Sequence, residues 1–590
     1  MSQYRRTLPI MLLSIMIAAC GANPSETSNP SVAPVAATDT TATSLASPSA
    51  SPVVPTIPPT ITPAPSASPF PLEAGWWDNA VCYEVFVRSF YDSDGDGVGD
   101  LNGLIEKLDY INDGDPNAQN DLGASCIWLM PITESPSYHG YDVVDYYSVD
   151  KEYGTNDDFK RLMEEAHRRG VRVILDLVLN HTSSEHPWFQ DAASNPDSPY
   201  RDWYIWSEDD PGYRGPWGDV AWHQSPARDE FYYGLFWSGM PDLNYRTPVV
   251  TEEAHKISAF WLNEMGADGF RLDAIKHLIE NGPAQENTPE THAWLRDYRS
   301  FLEETKPDTF TVGEIFGASP VTLEPYYPDQ LDTYFLFDVG ENLIYAANFG
   351  QATPFLTSVQ NADDTLPFQR WAPFLTNHDQ NRVMGILQDD MSVMKIAATA
   401  LMSLPGMPFL YYGEEIGMVG SKGTPPKVDE PLRTPMQWTG EDTTGGFTSG
   451  RPWEALQQNY TEVNVAAQDD DPDSLLNLYR RLVHLHTQHP ALGQGSFTPL
   501  KASADAVAAF VRQTDDEAVL VVLNFGKNPV DAVTLSGTVS ELAAGQYAAE
   551  PLLGTEPGAA LTIGEGGVLA DYTPLSALAP HTGYIFTLAQ

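Results

Sequence analysis

The chain has 590 residues, of which 42% are hydrophobic and 19% are charged. This composition excludes a collagen-like chain, a small disulfide scaffold and a wholly disordered protein, and the length suits several domains. Eighty acidic against 32 basic side chains give a net charge of −48. Most of the surface would therefore repel a phosphate backbone, so we expect no nucleic acid partner.

The first twenty residues predict an export signal. Arg5 and Arg6 precede an apolar run over residues 10–19 that is too short to span a bilayer. The run ends at Cys20, in a segment that resembles the cleavage and lipidation site of a bacterial lipoprotein. We therefore expect an exported protein that faces the cell surface or periplasm and is lipid-anchored to a bacterial membrane through Cys20. Residues 21–72 are rich in Pro, Ser, Thr and Ala and predict an unfolded tether.

Beyond the tether, short apolar segments alternate with amphipathic helical segments, which is typical of a parallel α/β architecture. Helical segments are bounded by capping residues, such as Thr155 before residues 157–169 and Gly170 after them. Eight strands are predicted, at residues 81–90, 125–130, 171–179, 269–273, 310–316, 333–338, 373–377 and 409–412. Eight strands predict a (β/α)₈ TIM barrel over residues 73–492.

Two further domains are predicted from breaks in this pattern. Residues 182–247 lack a clear helical period and contain six of the fourteen tryptophans, which favours a small domain inserted after strand 3. Residues 493–590 read as short alternating segments broken by turns and predict a C-terminal antiparallel β-sandwich. The three cysteines are too few for a disulfide framework, and Cys82 and Cys126, on neighbouring predicted strands, are expected to be buried thiols.

Four polar clusters lie at the ends of predicted strands, at residues 176–181, 269–277, 313–316 and 374–379. In a parallel barrel the carboxyl ends of the strands build the active site. A single carboxylate there is more often a helix cap or an ion-pair partner. The ordered series instead brings Asp273, Glu314 and Asp379 to one mouth, where their repulsion indicates a functional site.

These four segments resemble the signature regions of the α-amylase family of glycoside hydrolases, and the resemblance covers about residues 76–590. It implies that Asp273 is the nucleophile, Glu314 the general acid/base, and Asp379 the carboxylate that binds sugar hydroxyls and stabilises the transition state. It also implies retention of anomeric configuration, for which the two reacting carboxyls lie roughly 5 to 5.5 Å apart. Asp379 near Glu314 would help to keep Glu314 protonated near neutral pH.

Arg271 lies two residues before Asp273, so both side chains of the strand face the same way and the guanidinium can orient the nucleophile. The resemblance implies substrate contacts from eight more residues: His139, Tyr141, Asp142, His181, Lys276, His277, His378 and Arg433. The tryptophans of the inserted region are assigned chiefly to core packing, with sugar stacking as the alternative. They are Trp188, Trp203, Trp206, Trp217, Trp222 and Trp237.

The loop after strand 1 carries alternating oxygen ligands suited to a hard cation: Asp92, Asp94, Asp96, Asp100 and the carbonyl of Val98. A calcium hand of the helix-loop-helix type is rejected because Gly103 stands where a bidentate Glu is needed. Some members of the family carry calcium in this loop, so the resemblance implies a structural Ca²⁺. A second family calcium near Asn180 remains an alternative.

Different residues of the chain favour different subgroups of the family. Lys276 and His277 resemble endo-acting α-amylases, and Ala274 resembles members that act on α-1,4 bonds. Residues 433–438 and the acidic loop after strand 1 instead resemble the oligosaccharide-glucosidases and trehalose synthases. Residues 240–244 are intermediate between the patterns of the oligo-1,6-glucosidase and neopullulanase subgroups. In exo-acting relatives, pairing of an arginine at the Arg433 position with the acid at the Asp142 position closes the cleft.

We therefore expect a monomeric retaining hydrolase of α-1,4-glucosidic bonds in starch and malto-oligosaccharides, endo-acting like an α-amylase. The alternatives are an exo-acting α-glucosidase or oligo-1,6-glucosidase and a transglycosylase resembling trehalose synthase. A non-catalytic glucan-binding lipoprotein is a further alternative, disfavoured because all three catalytic acids are present.

Overall fold

A computed structural model describes residues 75–590, so the export signal, the tether and Cys20 lie outside the described residues. Eight parallel strands follow one another around a barrel in chain order. They are β1 (Cys82–Val85), β2 (Cys126–Leu129), β3 (Arg172–Leu177), β4 (Gly269–Leu272), β5 (Phe310–Gly313), β6 (Thr333–Phe335), β7 (Trp371–Ala372) and β8 (Phe409–Tyr411). Strand β1 pairs with β8, and a parallel bridge from Phe374 to Phe409 joins the end of β7 to β8. The predicted (β/α)₈ barrel is confirmed.

Several observed strands are shorter than predicted, and two differ from the prediction for reasons of local structure. The first predicted strand, residues 81–90, ends at Val85, and Val87–Phe90 form a helical turn. The seventh was predicted at residues 373–377, but β7 lies two residues earlier. Pro373 has no N–H group to donate to the ladder, so regular pairing stops before it and only the Phe374 bridge continues.

The helices pack outside the barrel. The longer ones are α1 (Leu101–Glu106), α2 (Asn156–Arg168), α3 (Pro187–Ser194), α4 (Pro248–Ala259), α5 (Pro289–Thr305), α6 (Phe337–Phe349), α7 (Ala352–Thr365), α8 (Met391–Leu401) and α9 (Leu475–Gln488). Four-residue helices are Leu108–Ile111, Pro320–Leu323, Val383–Ile386 and Pro490–Gly493, and Val465–Asp469 has five residues. Thr155 caps α2 in a capping box with Asp158, as its sequence predicts. Helix α4 continues as the π-helix Phe260–Met265, which ends at Gly266 with a φ of 91°.

Cys82 and Cys126 form a disulfide between β1 and β2. The prediction of buried thiols was wrong, although the prediction of neighbouring strands was right. The two residues are register partners in the parallel pair, with their Cα atoms 4.3 Å apart. Pairing register therefore decided the bond, which the number of cysteines could not indicate.

Aromatic side chains fill the barrel beneath its mouth. The rings of Trp128, Phe335 and Phe409 contact one another with centroids 5.0 to 6.1 Å apart. The Arg271 guanidinium lies 5.2 Å from the Trp128 ring and the His378 ring 5.6 Å from it. This apolar floor excludes water from beneath the charged residues above it.

The inserted domain follows β3, as predicted. Its three short strands, Trp206–Ser207, Trp222–Gln224 and Phe231–Tyr233, form an antiparallel sheet. Although the sequence of the insertion has no clear helical period, the insertion contains the helix α3, which begins with Pro187 at its first position. A bridge from His181 to Asp242 joins the two ends of the insertion.

The C-terminal domain is an eight-stranded antiparallel sheet. Its strands are β9 (Ser496–Ala502), β10 (Val507–Gln513), β11 (Ala518–Asn524), β12 (Leu535–Thr538), β13 (Gly545–Leu553), β14 (Gly558–Ile563), β15 (Val568–Tyr572) and β16 (Thr582–Ala589). Leu561 and Leu569, from opposite edge strands, belong to the same buried cluster as Val522 from the centre. The sheet therefore folds over its own core as a sandwich. Within residues 75–590, no helix is both long and apolar enough to cross a bilayer.

Candidate active site

Arg271 organises the mouth of the barrel. Its side chain is fully buried, and Nη1 donates to Asp176 Oδ1 and to Asp273 Oδ1, each at 2.8 Å. Nη2 lies 2.8 Å from Glu314 Oε2. Arg271 and Asp273 face the same way because they are two residues apart along β4. Asp176 and Glu314 lie at the ends of the neighbouring strands β3 and β5, so one guanidinium holds all three carboxyls.

His378 and Arg433 hold the third predicted acid. His378 Nε2 lies 3.1 Å from Asp379 Oδ2, and Arg433 Nη2 donates to Asp379 Oδ1 at 2.9 Å. Arg433 Nε also donates to the carbonyl of His378 at 3.1 Å. The structure therefore brings all three predicted catalytic carboxyls to one mouth, with cations on either side.

The protonation states of these carboxyls differ because their partners differ. Burial raises the pKa of Glu314, and the charges of Asp273 and Asp379 raise it further against the opposing effect of Arg271. Burial also raises the pKa of Asp379, but His378 and Arg433 outweigh it and hold that pKa well below its ordinary value. The site therefore contains an Asp379 whose ionised form is stabilised and a Glu314 whose pKa lies above its ordinary value.

Asp176 was part of a predicted polar cluster but was given no role. It is buried on β3, where burial raises its pKa to about 7 despite the charges of Arg271 and His378. The Tyr141 hydroxyl donates to Asp176 Oδ2 at 2.9 Å and lies 2.7 Å from His378 Nε2. Asp176 thus orients both Arg271 and Tyr141. An acidic residue inside the otherwise apolar run of residues 173–179 was the signal that could have revealed it.

Hydrogen bonds set the tautomers of two predicted histidines. The backbone N–H of Tyr141 donates to His139 Nδ1 at 3.1 Å, and burial lowers the pKa of His139 to about 3. His139 is therefore neutral, with its proton on Nε2 available to a sugar oxygen. His181 Nε2 lies 3.0 Å from the Tyr141 carbonyl, so His181 supports the loop that carries Tyr141.

Lys276 and His277 lie just beyond the Asp273 strand, after Ala274, which has a φ of 50°. His277 Nδ1 lies 2.8 Å from the Gln285 carbonyl, and Nε2 has no hydrogen-bond partner among the described residues. Burial lowers the pKa of His277 to about 4. The ring is therefore neutral, with a buried acceptor at Nε2.

Aromatic residues of the inserted domain line this side of the mouth. The rings of Trp217 and Phe236 lie 5.4 and 6.1 Å from the His277 ring. Trp217 is thus the tryptophan best placed for stacking on sugar, whereas Trp203 and Trp222 are buried in the domain. Phe236 was not singled out in the sequence, since only its tertiary neighbours distinguish it.

The pair expected in exo-acting relatives is not formed. Asp142 Oδ1 accepts hydrogen bonds from the hydroxyls of Ser135, at 2.8 Å, and Ser137. Arg433 pairs with Asp379 instead, and its guanidinium lies 5.8 Å from the Tyr138 ring.

The predicted metal loop brings three of its four acids together. Ligand oxygens of Asp92, Asp94 and Asp100 lie within 4.8 Å of one another, the one such acidic group within residues 75–590. Ligands 2.3 to 2.6 Å from a shared Ca²⁺ would have such spacings, so the cluster fits this hard cation. Asp96 is not part of the cluster, and its Oδ1 accepts the Val98 N–H at 2.8 Å.

A parallel barrel whose mouth brings together an ionised carboxylate and a second carboxyl with a raised pKa is typical of one class of enzyme, the barrel glycoside hydrolases. Within that class the chain belongs to the α-amylase family, since residues 84–495 match the α-amylase catalytic domain.

Similar proteins carry several activities in their names. The chain is 39% identical to "Alpha-amylase 3" of Dictyoglomus thermophilum over 470 residues, 77% of this chain and 86% of that protein. It is 36% identical to the "Trehalose synthase/amylase" of Mycolicibacterium smegmatis over 529 residues, 78% and 86% of the two chains. Oligo-1,6-glucosidase of Parageobacillus thermoglucosidasius is 33% identical over 532 residues, 78% and 92% of the two chains.

Among solved structures, the α-amylase from H. orenii matches with a TM-score of 0.74 and 38% identity, covering 86% of this chain and 99% of that one. The chain is therefore an α-amylase-family glycoside hydrolase or transglycosylase that acts on glucans.

Proposed function

We propose that this protein is an endo-acting α-amylase that hydrolyses α-1,4 bonds of starch and malto-oligosaccharides with retention. In this mechanism Asp273 attacks the anomeric carbon while Glu314 gives its proton to the leaving oxygen, and Glu314 then takes a proton from the water that releases the sugar. The contacts of both carboxyls with one guanidinium support the short separation that retention requires. Asp379, held ionised, accepts hydrogen bonds from the sugar hydroxyls.

The main support for endo action is that Asp142 and Arg433 do not pair with each other. Each of the two residues is held by other partners, so this pair does not close the cleft. Lys276 and His277 on the other side would bind glucose units beyond the cleaved bond, which a long chain supplies. The competing proposal is transfer or isomerisation, favoured by the names of the trehalose synthase relatives.

Product analysis separates these activities. The purified protein is incubated with long amylose and, separately, with maltose, and products are followed by chromatography over the first few per cent of conversion. A spread of malto-oligosaccharides with nearly inert maltose is expected. Glucose alone, with rapid attack on maltose, would make the enzyme an exo-glucosidase, and trehalose from maltose would make it an isomerase.

A structural Ca²⁺ in the Asp92 loop is also proposed. The ion would neutralise the repulsion among Asp92, Asp94 and Asp100 and take no part in the chemistry. Chelation is expected to reduce stability by about 2.7 kcal/mol at calcium 100-fold above its Kd, measured as a lower Tm that calcium restores. Asp94→Asn should abolish this calcium response. Asp113→Asn, which alters a similar exposed loop outside the cluster, should leave the response intact, and a calcium-independent Tm in the unaltered protein would refute the site.

We further propose that the protein is exported and lipid-anchored through Cys20. The Cys82–Cys126 disulfide supports export, because such bonds persist in oxidising compartments. Cys20→Ala is expected to release the protein from bacterial membranes into the soluble fraction, measured by immunoblotting after fractionation. Ser14→Ala, in the apolar run, is the matched control, and equal membrane partition of both variants would count against the anchor.

A further inference from the structure

Glu84 is a buried acid that the proposed reaction does not use. It lies on β1 between the apolar Tyr83 and Val85, and only 2% of its surface is exposed. Its Oε1 is 2.5 Å from His378 Nδ1. A carboxylate at this depth is costly unless it has a charged or hydrogen-bonding partner, and His378 is the partner the structure provides.

The surroundings of His378 require two donors on its ring. Nδ1 faces the Glu84 carboxylate, and Nε2 faces Asp379 Oδ2 at 3.1 Å. The Tyr141 hydroxyl donates its proton to Asp176, so its oxygen, 2.7 Å from Nε2, is also an acceptor. A neutral imidazole has one N–H, whereas the imidazolium has two. Geometry alone therefore favours the charged ring.

We infer that Glu84 is a positioning residue that, together with Asp379, keeps His378 an imidazolium throughout the working pH range. The charged ring in turn holds Asp379 ionised and fixed for the sugar hydroxyls. Glu84 thus acts on the substrate through two intermediaries, as a third member of a Glu84–His378–Asp379 chain. The kinetic consequence rests on the proposed retaining reaction, but the protonation state of His378 does not.

Other charged groups around His378 include both carboxyls, which favour its charged form, and guanidinium groups, which oppose it. They are Asp176 on β3, Arg271 on β4, Glu314 after β5 and Arg433 in the loop after β8, besides Asp379. Burial opposes the charge of the ring, yet Asp379 and Glu84 outweigh burial and raise the pKa of His378 to about 10. Facing Glu84 are Tyr411 on β8 and the buried Glu414 after it. Loss of the Glu84 charge should therefore lower the pKa of His378.

The test is the Glu84→Gln variant, which keeps the shape and an acceptor oxygen but removes the charge. In protein labelled with [¹⁵N]histidine, the His378 signal is identified by its loss in His378→Asn. We expect the midpoint of its titration to fall by about one pH unit or more in Glu84→Gln. The alkaline limb of the kcat profile should fall with it, because His378 now loses its proton within the working range. The conservative Glu84→Asp should restore part of both shifts.

Glu415→Gln is the matched control. Glu415 is also fully buried beside β8, but it accepts from Tyr83 and Tyr110 and does not contact the ring. It should leave the His378 midpoint unchanged. A His378 midpoint equal in Glu84→Gln and the unaltered protein, or a neutral His378 at pH 7 in the unaltered protein, overturns the inference. The titration needs no substrate, so its result does not depend on whether the proposed activity is correct. The Tm of each variant shows whether that variant is folded.

Discussion

Glu314→Gln is expected to lower kcat on amylose by about 10²- to 10⁴-fold while glucan binding persists. The amide has nearly the shape of the carboxyl but has no proton to give to the leaving oxygen. In the native site, burial and the neighbouring Asp273 and Asp379 charges raise the pKa of Glu314, which favours the form that carries this proton. Initial rates on amylose, together with retention of the variant on immobilised starch, measure the two effects.

The leaving group distinguishes loss of the acid from general damage. A 4-nitrophenyl maltooligosaccharide releases 4-nitrophenolate, which is a stable leaving group that needs little protonation. When the sugar is transferred from this group to Asp273, Glu314→Gln should therefore lose much less of the rate of the first step. Asp273→Asn removes the attacking group and should lose activity equally on both substrates. Equal losses for Glu314→Gln on the two substrates, or substantial remaining amylose hydrolysis, would reassign the acid.

Arg271→Met is expected to destabilise the fold by about 3–5 kcal/mol and to abolish measurable turnover. Arg271 is fully buried against Asp176, Asp273 and Glu314, and the variant leaves these carboxyls without their shared cation. Because Arg271 lowers the pKa values of Asp176 and Glu314, these two values should rise further in the folded variant. The loss in free energy of unfolding is therefore greatest at alkaline pH, and it becomes smaller as pH falls because the carboxyls take up protons. Thermal unfolding at several pH values measures it.

A second substitution tests this explanation. Adding Asp176→Asn to Arg271→Met removes one unpaired buried charge and should recover part of the lost Tm, although not the activity. Arg271→Lys keeps the charge but lacks the two-pronged geometry, and it should be more stable than Arg271→Met while remaining poorly active. No recovery in the double variant would show that the guanidinium stabilises by packing and not by charge.

The sequence predicted the barrel because strands and helices carry their own periodicity, caps and stops. It also predicted the catalytic carboxyls, because polar residues that end successive parallel strands must meet at one edge. Boundaries were less predictable. The shift of β7 depends on how Pro373 interrupts pairing with β8, and the length of β1 depends on where neighbouring strands stop supplying hydrogen bonds.

By itself the sequence determined the fold class and the family resemblance, and it indicated that Asp273, Glu314 and Asp379 would meet at one mouth. Only the tertiary structure decided the partners of each charge. Arg433 bonds Asp379 and not Asp142, Cys82 meets Cys126, and the Glu84 carboxylate reaches His378 across 294 residues. The reason is physical: periodicity is a local property of the chain. Protonation and bonding instead depend on distances between side chains from different strands, which exist only once the barrel closes.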